Sequence, residues 1–286
     1  MKALITGKTG YICTSLVKWL KMRLSECEVH TVSIKKGIPD SLHGYDIVIH
    51  LAAIVHKSQS KIGKEEYFRV NRDMTIELFE KAIRCGVSHF IFFSTMGVYG
   101  AESSLKGKVV INEDSDYAPK TFYAVSKYEA EIYLLNNSDR INLAIVRPPM
   151  VYGENCSGNY AKLEALALKT SIFPYVENER SMININNLCE LVRLIIKNSS
   201  CGIFFPQDAE YINTSRLVQE IALKNGKYIS LSKSLGKATV LVDTAVTRKI
   251  FGNLVYDKDL SDHFDFKYIV KKRRARKKGQ DWDFKL

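Results

Sequence analysis

A tyrosine and a lysine four residues apart, Tyr123 and Lys127, are the pair in this sequence best suited to moving a proton. The surrounding segment has a helical pattern, and helical residues four apart lie on one face, with Cβ atoms about 5–6 Å from each other. A phenol with a pKa of about 10 is a poor acid or base at neutral pH, but a neighbouring ammonium favours the phenolate. The pair therefore predicts general acid–base chemistry. Because Y-x-x-x-K also occurs as an ordinary surface pair, its surroundings have to decide.

Two hydroxyl residues, Ser94 and Thr95, lie at the end of a run that is typical of a buried strand. The run is HFIFFS over residues 89–94, and Thr95 follows it directly. In open α/β sheets, ligands bind beyond the carboxyl ends of the strands. This placement favours a functional interpretation of Tyr123 and Lys127.

A glycine turn follows the first apolar run, in the pattern G-x-x-G-x-x-C formed by Gly7, Gly10 and Cys13. Gly7 suits a tight turn, and Gly10 allows backbone amides to approach a pyrophosphate at the N-terminus of the next helix. Cys13 is small enough for the position where that helix packs on the sheet. An ordinary tight turn is the alternative, but a strand before it and a helix after it favour a dinucleotide site.

The end of the second predicted strand bears on the choice of cofactor. An acidic residue there would bind the adenosine ribose 2′-hydroxyl, but Ser33 takes that position, and Lys35 and Lys36 follow. Two lysines could accommodate a 2′-phosphate, which favours NADP(H). Alternatively, both lysines are solvated turn residues.

Short β-rich runs alternate with helical patterns over the first 150 residues, which predicts a parallel sheet with helices on both faces. The predicted strands cover residues 2–6, 29–34, 46–51, 89–94 and 141–146, and the predicted helices cover 10–24, 65–85 and 122–136. After Gly153 the pattern changes to shorter elements: helices over 159–169, 187–197 and 214–224, and an extended run over 180–185. The fold class is α/β, a doubly wound parallel (Rossmann) sheet with a smaller C-terminal substrate-binding cap. We expect a dinucleotide-binding domain over 1–155, an interleaved substrate-binding segment over 156–270, and a basic, disordered tail over 271–286.

Composition excludes several classes of protein. The chain has 286 residues and is 46% hydrophobic, which is enough for a large core. No stretch resembles a signal peptide or approaches the roughly 18 apolar residues of a membrane span, so we expect a cytoplasmic protein. The six cysteines have no C-x-x-C spacing, which indicates reduced core residues and no metal site. The net charge of +11 is concentrated in the tail, which we interpret as solubilising, with an anionic membrane or nucleic acid as the alternative partner.

Six motifs in order resemble the extended short-chain dehydrogenase/reductases, specifically the NAD-dependent epimerase/dehydratase family that modifies nucleotide sugars. They are TGKTGYI (residues 6–12), DIVIHLAA (46–53), VNRDMT (70–75), FFSTMGVYG (92–100), YAVSK (123–127) and VRPPMVYG (146–153). Two later segments, GNYAKL (158–163) and FPYVENERSMININNL (173–188), resemble the family's capsule and polysaccharide branch of UDP-glucose 4-epimerase-like enzymes and 4-keto sugar reductases. The resemblance extends to about Tyr256.

The resemblance implies a role for each matching residue. Tyr123, Lys127 and Thr95 would be catalytic. Substrate contacts would come from Thr95, Met96, Tyr123, Asn159 and Arg180, with Arg180 facing the nucleotide diphosphate. The cofactor would contact Gly7, Thr9, Gly10, Tyr11, Ile12, Ser33, Lys35, Leu51, Ala52, Ala53, Asn71, Ser94, Tyr123, Lys127 and Pro148.

The sequence departs from the family pattern in two places. It lacks the acidic residue after the second strand, and it has no R-P-G-D-like segment after residue 200 that would supply a second diphosphate ligand. His50 and His56 flank the end of the third predicted strand, where a proton shuttle is conceivable, but we interpret His50 as a buried, hydrogen-bonded residue.

Together these features predict a nucleotide-sugar oxidoreductase that acts at C4 of a UDP-hexose or UDP-amino sugar with NAD or NADP(H). A UDP-glucose 4-epimerase-like activity comes first. An NADPH-dependent UDP-4-keto-6-deoxy-hexosamine 4-reductase and a non-catalytic dinucleotide-sensing regulator are the alternatives. The family suggests a homodimer formed through helices that include residues 65–85 and 122–136, and we expect no nucleic-acid partner.

Overall fold

The computed structural model describes residues 1–55, 63–156 and 158–261. His56 and the basic tail, two features singled out from the sequence, lie outside these residues. The helices are α1 (Tyr11–Arg23), α2 (Lys64–Phe68), α3 (Met74–Arg84), α4 (Phe122–Leu135), α5 (Asn159–Lys169), α6 (Ile185–Lys197), α7 (Thr214–Lys224), α8 (Lys233–Leu241) and α9 (Ala245–Phe251). The strands are β1 (Lys2–Thr6), β2 (Glu28–Val32), β3 (Ile47–His50), β4 (His89–Phe93), β5 (Val110–Ile111), β6 (Asn142–Val146), β7 (Met150–Tyr152), β8 (Ile172–Pro174), β9 (Met182–Asn184), β10 (Gly202–Phe204), β11 (Ser230–Ser232) and β12 (Val255–Tyr256).

Six strands form one parallel sheet in the order β10-β6-β4-β3-β1-β2. Every strand pair in it is parallel, and the strands between the edges are almost completely buried, as their continuous apolar runs require. α1 and α6 pack on one face, and α3 and α4 on the other. The doubly wound sheet predicted from the sequence is confirmed.

The strand order reverses between β1 and β3, because the chain first adds β2 on one side of β1 and then places β3 on the other. Such a switch point leaves a crevice at the carboxyl ends of the two strands, where α/β proteins bind ligands. The glycine turn follows β1 here, and Leu51 to Ala53 follow β3. The topology therefore brings two of the predicted cofactor-binding segments together.

The second half of the chain interleaves with the first. Residues 185–204 return to the large sheet, with α6 packed beside α1 and β10 added next to β6. The remaining elements form a separate cluster in which α5, α7, α9 and the paired strands β8 and β11 share a core. The division of the chain at residues 155 and 270 stays a prediction.

The long helix predicted over residues 65–85 is interrupted. α2 ends at Phe68, a π-helical turn covers Arg69–Asp73, and α3 begins at Met74. A π turn contains one more residue per hydrogen-bonded ring than an α turn, so it rotates the side chains that follow. It carries Asn71, which is fully buried.

None of the described helices is long and apolar enough to cross a membrane. All six cysteines are free; four are buried, Cys85 is half-buried and Cys201 is exposed. The described residues contain no cluster of His, Cys, Asp and Glu suited to a metal ion.

Two buried histidines, His50 and His89, predict a loss of stability in acid. Burial lowers the pKa of both side chains, and the charge of Lys127 lowers that of His50 further. Below a pH of about 6.5 the unfolded chain binds protons on these histidines that the folded protein does not, so the folded state loses stability as the pH falls. The limiting slope is roughly 1 kcal/mol per pH unit for each histidine.

Denaturant unfolding at pH 7.5 and 5.5 measures this effect. His89→Gln, which cannot take up a proton, should be less sensitive to acid than the wild type. An equal loss of stability in the variant and the wild type would contradict the assignment to His89.

Candidate active site

The turn after β1 is shaped for a close approach of backbone to backbone. Gly7 has a φ of +86°, and a Cβ there would lie 3.2 Å from the Cα and N atoms of Ala52. Its amide donates to the carbonyl of Val32 at the end of β2, at 3.0 Å. The end of β2, the glycine turn and the segment after β3 therefore meet at one place.

α1 begins directly after the glycine turn. Gly10 is the N-cap of the helix, and no side chain caps it. Uncapped amides and the helix dipole favour an anion, as a pyrophosphate would supply. Thr9 and Gly10 are exposed, while Tyr11 and Ile12 are half-buried. The turn and the helix start thus fit the phosphates of a dinucleotide.

A chain of hydrogen bonds fixes the segment that follows β3. The Thr6 hydroxyl accepts from the amides of Leu51 and Ala52, at 3.2 and 3.1 Å, and pairs with Nδ1 of His50 at 2.8 Å. Nε2 of His50 pairs with the Thr75 hydroxyl, which itself donates to the Asn71 carbonyl. The Thr75 oxygen must then accept from Nε2. Because the Thr6 oxygen already accepts from two amides, its hydroxyl donates to Nδ1. His50 is therefore neutral. His50 is a buried, hydrogen-bonded residue, as interpreted from the sequence.

Asn71 supports the same segment from the π-helical turn. Its Oδ1 accepts from the amide of Ile54 at 2.8 Å, and its Nδ2 donates to the Ile54 carbonyl and to the Ser126 hydroxyl, both at 3.1 Å. These bonds occupy both ends of the amide group. Asn71 therefore holds the cofactor-binding segment against α4, and the contact predicted between Asn71 and the cofactor itself stays a prediction.

The residues that would face the adenosine ribose are exposed. Ser33 and Lys35 follow β2, with Ile34 buried between them. No described contact engages the Ser33 hydroxyl or the Lys35 ammonium. Both groups are available at the rim of the switch-point crevice, and neither carries the negative charge that would repel a 2′-phosphate.

The hydroxyl residues after β4 lie beside the end of β6. The amide of Ser94 donates to the Val146 carbonyl at 2.8 Å, and the amide of Met96 donates to the Pro148 carbonyl at 3.1 Å. Ser94 is buried, and its Oγ has no hydrogen-bond partner within the described part of the chain. A buried polar atom without a partner is costly, so this oxygen suits a ligand atom. Thr95 is the N-cap of a short 3-10 turn.

Tyr123 and Lys127 lie on one face of α4, as the spacing predicts. The side chain of Thr95 hydrogen bonds with the Tyr123 hydroxyl, which favours the phenolate. The ammonium of Lys127 is buried and lies 3.9 Å from the ring centre of Phe92 on β4. The tyrosine, the lysine and the threonine thus converge at the carboxyl edge of the sheet, where the dinucleotide crevice opens.

Burial dominates the electrostatics of this pair. It raises the pKa of Tyr123 to about 12, although the hydrogen bond from Thr95 opposes the rise. It also lowers the pKa of Lys127 to about 7, against the attraction of the Glu131 carboxylate. Desolvation therefore dominates the pKa of Tyr123 in the protein by itself. The stabilisation of the phenolate that the Tyr123 and Lys127 pair suggests stays a prediction. The positive charge of an oxidised nicotinamide would also favour the phenolate.

A model of the NAD-dependent epimerase/dehydratase family matches residues 3–201. The chain belongs to this family. It is therefore an NAD(P)-dependent enzyme of the short-chain dehydrogenase/reductase type, with NAD or NADP(H) as its cofactor.

Among curated relatives of this family member, a UDP-glucose 4-epimerase of Vibrio cholerae is 30% identical over 91% of this chain and 84% of its own length. An N-acetyl-α-D-glucosaminyl-diphospho-ditrans,octacis-undecaprenol 4-epimerase of Escherichia coli O157:H7 is 27% identical over 79% of this chain and 73% of its own length. The fold is also that of a Thermus thermophilus UDP-glucose 4-epimerase solved with NAD, with a TM-score of 0.63, 20% identity, and 81% and 86% of the two chains covered.

Two of the predicted substrate residues of this family member lie in the second half of the chain. Asn159 is the first residue of α5 and is half-buried. Arg180 donates from its guanidinium to the carbonyls of Lys249 and Gly252, at 2.9 and 3.2 Å. Burial lowers the pKa of Arg180, and within the described ranges no carboxylate pairs with it. A half-buried guanidinium without a counter-ion attracts an anion. No described contact joins Asn159 or Arg180 to Tyr123, and their roles stay predictions.

Sequence reasoning missed a buried ion pair behind Lys127. Glu131 follows one helical turn later, on the same face of α4, and its carboxylate pairs with the guanidinium of Arg147 at the end of β6. The hydroxyls of Tyr99 and Tyr117 bond with the same guanidinium, at 2.7 and 3.0 Å. The signal in the sequence was the extension of the Y-x-x-x-K spacing by a further four residues to a glutamate.

A matched pair of glycine variants tests the glycine turn. Gly44 has a φ of +83°, like Gly7, but a Cβ on Gly44 would meet nothing within 4 Å. Gly7→Ala and Gly44→Ala should both destabilise the protein by roughly 1–2 kcal/mol through backbone strain. Only Gly7→Ala should also weaken the binding of NAD or NADPH, because it pushes the Ala52 segment away. Equal dinucleotide affinity in both variants, measured by calorimetric titration, would contradict this account of the turn.

Proposed function

We propose that this enzyme epimerises a UDP-linked hexose or amino sugar at C4, as a UDP-glucose 4-epimerase does. The observation that carries the proposal is the convergence of Tyr123, Thr95 and Lys127 at the sheet edge beside the dinucleotide crevice. The relatives named above, both 4-epimerases acting on sugar diphosphates by their names, support the choice of reaction.

The crevice residues fit the cofactor of the family. The glycine turn and the uncapped start of α1 would hold its phosphates, and Ala52 and Ala53 would lie along it. When bound, the nicotinamide supplies reversible hydride transfer to the sugar carbon. The remaining steps belong to side chains of this protein.

The proton of the sugar 4-hydroxyl goes to Tyr123. The Thr95 hydroxyl would bond to the same sugar oxygen and fix its position between the two side chains. Lys127 would stabilise the phenolate as a buried cation, and Glu131 helps keep it protonated. After the 4-keto sugar turns over in the site, Tyr123 returns the proton, and the product has the opposite configuration at C4.

The cap would bind the other end of the substrate. Arg180 carries a half-buried positive charge that no described carboxylate neutralises, which suits the diphosphate. Asn159 at the start of α5 would contact the same end. Both assignments come from the family resemblance, and substitution by Met and Ala, respectively, should raise KM more than it lowers kcat.

A second candidate is an NADPH-dependent reduction of a UDP-4-keto-6-deoxy-hexosamine. The exposed Ser33, Lys35 and Lys36, in place of an acidic residue, favour this alternative because they would accept a 2′-phosphate. In that reaction Tyr123 would give its proton to the keto oxygen once.

One set of assays with purified protein separates the candidates. Incubation with UDP-galactose, followed by chromatographic separation of the UDP-hexoses, should give UDP-glucose with catalytic NAD and no net consumption of cofactor. UDP-N-acetylglucosamine is the matched second substrate. Stoichiometric consumption of NADPH with a UDP-4-keto sugar, and no conversion of either UDP-hexose, would replace the epimerase by the reductase.

A further inference from the structure

The turn between α8 and α9 exposes apolar side chains that a globular surface would normally cover. Leu241, Val242 and Val246 are 86%, 58% and 66% exposed, and Leu235 on α8 is exposed as well. All residues from Leu241 to Val246 are exposed. Single exposed apolar residues need no explanation, but several within one turn mark an interaction site.

Hydrogen bonds stabilise the backbone of this turn. Thr244 and Thr247 form a reciprocal capping box at the start of α9, and the Thr247 hydroxyl also donates to the Val242 carbonyl at 2.7 Å. The amide of Val242 bonds back to the last turn of α8. These hydrogen bonds fix the backbone at Val242, Thr244 and Thr247, while the apolar side chains of the turn stay exposed.

The charges around the turn select the kind of partner. Residues 233–251 contain four cations and one carboxylate, and Lys233, Lys237 and Lys249 are exposed. The carboxylate, Asp243, is paired with Arg248 at 3.0 Å. Apolar side chains in a turn that is flanked by lysines suit an anionic bilayer. The apolar side chains can insert among the acyl chains, and the lysines can bind the lipid phosphates.

A second copy of the chain fits this surface less well. A symmetric contact through the turn would bring Lys237 and Lys249 of one copy near the same residues of the other. Like charges at close range oppose such a contact, whereas lipid phosphates neutralise them. We infer that the apolar turn of residues 235–246 docks this enzyme on the surface of an anionic membrane.

The turn is connected through α9 to Arg180, so docking would bring the predicted diphosphate site near the membrane. α9 starts at the turn, and its C-terminal end supplies the carbonyls that hold Arg180. A helix of seven residues is about 10 Å long, so a diphosphate on Arg180 would lie close to a docked membrane. A sugar diphosphate attached to a membrane lipid would then be within reach of the site. This consequence rests on the proposed function, whereas the docking surface itself does not.

Tryptophan fluorescence measures insertion of the turn directly. The full chain with Leu241→Trp is mixed with vesicles of phosphatidylcholine and phosphatidylglycerol in equal amounts, and Met22→Trp is the matched control. Met22 lies on α1, outside the cap, and is 61% exposed. We expect a blue shift of the emission, relative to the wild-type chain, for Leu241→Trp alone. Equal emission of Leu241→Trp with and without vesicles would overturn the inference.

Co-sedimentation with the same vesicles gives the affinity. The triple variant Leu241→Ser, Val242→Ser, Val246→Ser should bind at least about tenfold more weakly than the wild type, and Met22→Ser should bind like the wild type. Unchanged binding of the triple variant would overturn the inference, as would a dimer in analytical ultracentrifugation that the triple variant converts to monomer. Turnover of a UDP-hexose in the absence of vesicles should be the same in the wild type and all four variants, so failure of the docking and failure of the proposed reaction are separate results.

Discussion

Replacing Tyr123 by Phe should lower kcat by about 10²–10⁴-fold, the usual contribution of a positioned general acid or base. The variant loses one oxygen atom, and the hydrogen bond to Thr95 goes with it. The ring, the helix and the crevice remain, so the affinity for NAD or NADPH and the unfolding midpoint should change little.

Tyr128 supplies the matched control for this experiment. It lies on the same helix and stacks against Tyr117, with the ring centres 5.3 Å apart. Tyr128→Phe should keep kcat within about twofold of the wild type, because Tyr128 is half-buried and no described side-chain contact joins it to Tyr123, Thr95 or Lys127. A Tyr123→Phe enzyme that retains wild-type turnover would rule out the proposed proton transfer.

Breaking the buried ion pair should have the largest effect on stability. Arg147 and Glu131 are almost inaccessible to solvent, and the removal of one partner leaves the other charge buried and unpaired. Arg147→Met should therefore lower the free energy of unfolding by about 3–5 kcal/mol. Denaturant unfolding measures the change.

The double variant Glu131→Gln, Arg147→Met tests whether the pair itself is responsible. It removes both charges of the pair and leaves no unpaired Glu131 carboxylate, so it should be more stable than Arg147→Met alone, and the two changes should not add. Simple additivity would show that the cost comes from lost packing.

Since the Glu131 carboxylate raises the pKa of Lys127, Glu131→Gln should also move the alkaline decline of kcat to lower pH.

The sequence predicted elements well where a local pattern determines them. β1, α5 and α7 have the predicted bounds, because each combines a strong apolar period with clear turn residues at its ends. The helix over 187–197 begins two residues earlier, at Ile185, since Asn184 caps it by accepting from the amide of Asn186. The extended run before it is correspondingly shorter.

Long-range pairing set the limits of the sequence-based predictions. β5 pairs with β12 across about 145 residues, and β10 joins the large sheet although its three residues carry no distinctive pattern. The π-helical turn at Asn71 was not predicted either, because one extra residue per turn barely disturbs an apolar period of 3.6. Such features depend on partners that are distant in the sequence.

In the candidate site, too, the sequence predicted what local spacing determines and missed what depends on residues distant in the sequence. Spacing alone was enough to put Tyr123 and Lys127 on one helix face and to identify Gly7 as the residue of the tight turn. The directions of the two pKa shifts depend on burial, which the spacing does not contain. The Arg147 contact to Glu131 joins residues of different elements, so no local pattern reveals it. The homodimer through the helices over 65–85 and 122–136 stays a prediction.

A crystal structure of the protein with dinucleotide and UDP-hexose bound tests the central claim most directly. The account predicts that the hydroxyls of Tyr123 and Thr95 lie within about 2.6–3.2 Å of the same sugar oxygen, with the dinucleotide phosphates at the glycine turn. A dinucleotide bound elsewhere, or a sugar held away from the hydroxyl of Tyr123, would contradict it.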